Sequence, residues 1–101
     1  MTRQPKRYEK RHATVVAVML TSREHGSQTE LTVTENISGR GARVLSKGLW
    51  SPRDSVIIKS LEGDLQSEAR VIYRQPVREN VYAVGLELLA PRGDWTKKPL
   101  T

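Results

Sequence analysis

The chain contains no cysteine and no phenylalanine. Without thiols it has neither a disulfide framework nor a thiolate metal site, which suits a reducing compartment and predicts a cytoplasmic protein. Histidine is scarce as well: only His12 and His25 occur, and no HExxH spacing is present. The glutamates Glu9, Glu35, Glu68 and Glu87 are scattered rather than paired, and the serines have no evident base partner. This pattern offers neither a metal-ligand set nor a general acid–base couple. There is no GxxxxGK[ST] phosphate loop, and Gly39 and Gly41 form a lone GxG with no βαβ pattern around it. These absences predict a protein that binds rather than catalyses, without metal or cofactor. No apolar run approaches the ~18 residues of a membrane-spanning helix. The longest, residues 15–20, is strand length, and no apolar signal region directly follows the basic N-terminus.

The chain does have basic charge and β-branched side chains. Its 101 residues suffice for one domain and carry a formal net charge of +6. Arg3, Lys6, Arg7, Lys10 and Arg11, against Glu9 alone, put +4 of that in the first twelve residues. Such an arm predicts phosphate-bearing partners. Pro5 opposes a helix there, so residues 1–11 are expected to form a mobile basic arm.

Beyond the arm, period-2 and β-branched runs predict strands at 12–20, 28–35, 42–45, 55–61, 65–74 and 81–89. The near-continuous apolar first run predicts burial on both faces. In the second run, Leu31, Val33 and Ile37 share one expected face, and Thr32, Thr34 and Asn36 the other. In the fifth, Ala69, Val71 and Tyr73 oppose Arg70, Ile72 and Arg74. In the last, Tyr82, Val84, Leu86 and Leu88 point inward. Turns are expected at 25–27 and 62–64, and loops at 47–54 and 75–80, the latter containing Pro76. Trp50 is expected over a barrel edge, and Trp95 as the anchor of a C-terminal tail. Six short, evenly spaced strands predict an all-β fold, a small antiparallel barrel over residues 12–91 with a tail at 92–101.

Between the second and third expected strands lies Asn36-Ile37-Ser38-Gly39-Arg40-Gly41. It places an amide, a hydroxyl and two glycines where a strand favours Val or Ile. With Ile37 in the core, Asn36 and Ser38 stand together on the polar face. Arg7 and Arg11, four apart, would lie on one side of either a helical turn or an extended strand. Brought together, the two segments make a site for a planar, anionic ligand.

Arg7-Tyr8-Glu9-Lys10-Arg11 fits RxxxR, and residues 36–41 fit [DN]xSxxG. In this order, 24 residues apart and ahead of a small β-domain, the two motifs resemble those of the PilZ family. Ala69-Arg70-Val71-Ile72 and the closing Ala83-Val84-Gly85-Leu86-Glu87-Leu88-Leu89 add to the likeness, which spans residues 6–89. The resemblance implies a six-stranded split barrel that binds the bacterial second messenger cyclic di-GMP as a stand-alone receptor. Ligand would then reorganise the arm and so regulate a partner protein. It assigns Arg7 and Arg11 to guanine and phosphate, Asn36 and Ser38 to hydrogen bonds with the ligand, and Gly39 and Gly41 to the turn and close approach. Arg40, Lys6 and Lys10 add positive charge. A guanidinium fork suits guanine O6 and N7 and can stack on a base. Two rivals remain: a nucleic-acid-binding barrel, against which the 5% aromatic content leaves few stacking platforms, and a barrel that binds only protein.

Overall fold

Valine, isoleucine and threonine fill the runs that become strands, and every second residue points into one core. The computed structural model describes residues 14–24 and 28–96. The expected arm at 1–11, His12 at the start of the first strand, the turn at 25–27 and residues 97–101 lie outside them. The strands are β1 (Ala17–Ser22), β2 (Thr29–Ile37), β3 (Gly41–Ser46), β4 (Ser55–Ser60), β5 (Gln66–Arg78) and β6 (Val81–Leu88). All pair antiparallel and close in the order β1-β2-β3-β6-β5-β4, so the barrel has no continuous open edge.

Val16, Val18, Leu20, Val44, Val56, Ile58, Val71 and Val84 fill the interior. Truncating one of the larger side chains, Leu20 or Ile58, to alanine is worth about 2–5 kcal/mol. Trp50 goes further in than the expected edge position: it is 1% exposed, and its indole N–H donates to Glu30 Oε1 at 2.8 Å. Trp95 packs on the core as an anchor, and Ser60 Oγ donates to its carbonyl.

Three details of the expected pattern are corrected. The first run is not buried on both faces; Val15 is 69% exposed, and Ala17 and Met19 are half-buried. In β2 the expected faces are inverted, because register fixes the phase. Thr32 pairs with the buried Val18 and Thr34 with the buried Val44, so Thr34 is 1% exposed and Leu31 is 66% exposed. A bulge at Glu35 then advances the phase by one residue, which returns Ile37 to the core. Thr34 is tolerated inside because its hydroxyl donates to the Thr14 carbonyl at 2.6 Å and accepts from the Val16 amide at 2.9 Å.

The third correction concerns β5. It continues through the expected loop to Arg78, and the turn is the two-residue Glu79–Asn80, with Asn80 at φ 64°. Pro76 is accommodated because β4 pairs with β5 only as far as Arg70, leaving that part of β5 with β6 as its sole ladder neighbour. A second bulge at Ile72 moves Tyr73 to the outer face, away from Ala69 and Val71.

Candidate groove on the outer face of the barrel

The site is built from what the outer face of β3 and β6 leaves empty. Gly41 pairs with Glu87, and two positions along Arg43 pairs with Gly85. Two glycines on one face of adjacent strands expose bare backbone there. The Tyr73 ring fills the space over Gly85: a Cβ on Gly85 would lie 2.1 Å from the ring edge. Among the described residues nothing comparable covers Gly41. The resulting groove, about 400 Å³, is bounded by Ser38, Arg40 and Gly41 on one side and by Ile72, Tyr73 and Glu87 on the other.

Arg43 stiffens its floor. The guanidinium donates to Glu35 Oε1 at 2.8 Å, to the Tyr73 hydroxyl at 3.2 Å and to Gln75 Oε1 at 3.2 Å. The Glu35 carboxylate first, and the Tyr73 hydroxyl second, hold the Arg43 pKa above its ordinary value despite partial desolvation. The bulge that returns Ile37 to the core also leaves Glu35 and Asn36 side by side on this outer face, with Asn36 opposite Arg43.

The expected site residues divide. Asn36 and Ser38 stand at the groove end of β2, and Ser38, Arg40 and Gly41 line the groove. The Ser38 amide donates to the Gly41 carbonyl at 2.9 Å, while its hydroxyl makes only a long 3.4 Å contact to that oxygen. Asn36 Oδ1 is buried and has no hydrogen-bond partner among the described residues, a state most buried acceptors avoid. The Leu88 amide holds the Arg40 carbonyl at 2.9 Å, which fixes the turn and leaves the Arg40 side chain exposed. Gly41 is demanded by the fold, since a Cβ there would lie 2.9 Å from the Leu86 carbonyl oxygen. Gly39 is not: its φ is not left-handed, and among the described residues nothing lies within 4 Å of an added Cβ. Lys6, Arg7, Lys10 and Arg11 lie outside the described residues.

Thr14, the first described residue, is held by Thr34 two positions before Asn36, so the chain enters the barrel at the groove end of β2. Arg11 precedes it by three residues and Arg7 by seven. Extended chain gives them reaches of about 10 Å and about 24 Å. Three strand spacings, from β1 across β2 and β3 to β6, come to about 14 Å. Arg7 therefore has backbone length beyond that span, whereas the backbone reach of Arg11 ends short of it.

Tyr73, Gly85, Glu87 and Arg43 were not singled out for the site from the sequence. A glycine inside an apolar strand, as at Val84-Gly85-Leu86, was the available signal. A slightly larger cleft, about 480 Å³, lies beside Ile57, Glu68 and Arg92. Of its polar side chains, Glu68 pairs with Arg23, and the Ser67 hydroxyl donates to the Glu68 carbonyl. Among the described residues no three His, Asp or Glu side chains gather as a metal site. Comparison with family models, curated proteins and solved structures finds no match to the chain.

Proposed function

We propose that the protein is a receptor for cyclic di-GMP, held between the basic arm and the groove. The observation that carries this reading is the common location of three features: an open groove, the Asn36–Gly41 polar groups, and the entry point of a chain bearing Arg7 and Arg11. The ligand's chemistry fits their division of labour. Its two phosphates suit the arginines and Arg40, and its guanines offer O6 and N7 to a guanidinium fork. Guanine N1–H and its amino group are donors, and Asn36 Oδ1 is a buried acceptor with no hydrogen-bond partner among the described residues, which a rotation of its side chain would turn toward them. The Ser38 hydroxyl, lightly engaged by Gly41, is open to a ligand oxygen.

A ligand that touches both arm and groove fixes the arm's place on the barrel. That arrangement is the surface a downstream partner protein would read, with no chemistry performed on the ligand. The test is calorimetric titration with cyclic di-GMP, GTP and oligonucleotides. The reading expects saturable binding of the cyclic dinucleotide in preference to the others. Arg7→Ala and Arg11→Ala should each weaken it at least about tenfold, the worth of one charge-assisted hydrogen bond, without moving the melting temperature. Preferred binding of oligonucleotides with a steep salt slope would point to the nucleic-acid rival instead.

A further inference from the structure

We propose that Glu87 reads the hydrogen-bond donor edge of one guanine and sets the site's preference for guanine over adenine; this rests on the cyclic di-GMP reading. Glu87 lies on the outer face of β6, because its neighbours Leu86 and Leu88 are buried. Its cross-strand neighbour on β3 is Gly41, so no side chain stands on that flank, and the carboxylate lines the groove. Arg70 is its register partner on β5, and Arg40 lines the same groove, yet neither pairs with it. Among the described residues the Glu87 carboxylate makes no hydrogen bond or ion pair.

A carboxylate in a groove for an anion needs a reason, because it repels phosphate. An ionised carboxylate only accepts hydrogen bonds. The donors a cyclic dinucleotide offers along one edge are guanine N1–H and the adjacent 2-amino group, spaced to meet both carboxylate oxygens. Adenine has an acceptor at N1 and no 2-amino group, so it would set a lone pair against the carboxylate. The ligand carries two guanines and hence two such edges, one for Asn36 and one for Glu87. Sites built around a substrate N–H reject the analogue that lacks it far more strongly than apolar pockets reject a missing methylene.

The experiment measures Kd for cyclic di-GMP, cyclic di-AMP and the inosine analogue without 2-amino groups, using the full chain and Glu87→Gln. The fold is checked by the melting temperature, which an exposed isosteric change should leave unmoved. The wild type should bind the inosine analogue about tenfold more weakly than cyclic di-GMP, the worth of one charged hydrogen bond. Glu87→Gln should weaken cyclic di-GMP about tenfold and shrink its preference over both analogues. Unchanged or tighter binding by Glu87→Gln would overturn the inference, since it would mean the carboxylate merely repels phosphate, while leaving the receptor reading standing. Failure of the wild type to bind any of the three would overturn both.

Discussion

The two ends of β2 hold their loops in opposite ways. At the start of the strand, Glu30 accepts from the Ser46 hydroxyl at 3.0 Å, the Lys47 amide at 3.0 Å and the Trp50 indole at 2.8 Å. One carboxylate thereby ties down the β3–β4 loop and seats its tryptophan in the core. At the far end, among the described residues, the turn into β3 has a firm backbone bond from Ser38, a long hydroxyl contact, an Asn36 oxygen without a partner and a Gly39 with open space where a Cβ would stand. Both ends close the same barrel, but only one satisfies its polar groups. The first is built for stability; the second leaves the Ser38 hydroxyl lightly engaged and the buried Asn36 oxygen unpaired, at some cost to stability, which is where a ligand is expected.

Substitutions at the two ends should therefore separate stability from binding. The largest effect is expected from Trp50→Ala, which should cost about 3–5 kcal/mol in chemical denaturation through lost packing. Ligand affinity should be unchanged wherever the variant is folded. Gly85→Ala probes the groove floor. The new methyl overlaps the Tyr73 ring, which must leave, and the Arg43–Tyr73 contact goes with it. A loss of about 1–3 kcal/mol is expected, as for other overpacked sites, together with weakened binding. Asn36→Ala should leave stability within about 0.5 kcal/mol, because its side-chain oxygen has no hydrogen-bond partner among the described residues, yet weaken ligand binding at least about tenfold. A stability loss above about 2 kcal/mol there would mean that the amide supports the fold and that the contrast between the ends is mistaken. The smallest effect belongs to Gly39→Ala: with open space and no left-handed φ, it should gain up to about 0.5 kcal/mol through the unfolded chain. Any loss of affinity in that variant would report on ligand contact alone.

The barrel was legible because strand runs announce themselves by alternation, and four of the six are found close to where the pattern put them, while β1 begins five residues later than expected and β5 runs four residues further. The inner face of β6, with Val84, Leu86 and Leu88 buried, is one example. The errors over which residues of β2 and β5 share a face have a common cause. Bulges at Glu35 and Ile72 each add one residue to a strand and so reverse which later residues face the core. Nothing in local composition marks them, because they are set by the register of the neighbouring strand. Pro76 and the polar run around it pointed to a loop, whereas the missing ladder partner beyond Arg70 makes a strand possible. The Asn36–Gly41 half of the site was legible through its residue types. Tyr73, Gly85 and Glu87 were not, since they become neighbours of that turn only through the β3–β6–β5 pairing.

The most direct test is a map of backbone amide chemical-shift changes on titrating cyclic di-GMP into the isotope-labelled full chain. The account predicts saturable shifts at residues 36–41, at Tyr73 and at residues 85–87, with residues 46–50 at the Glu30 end unmoved. No shifts at high ligand concentration, or shifts gathered around Trp50 and Glu30, would contradict it.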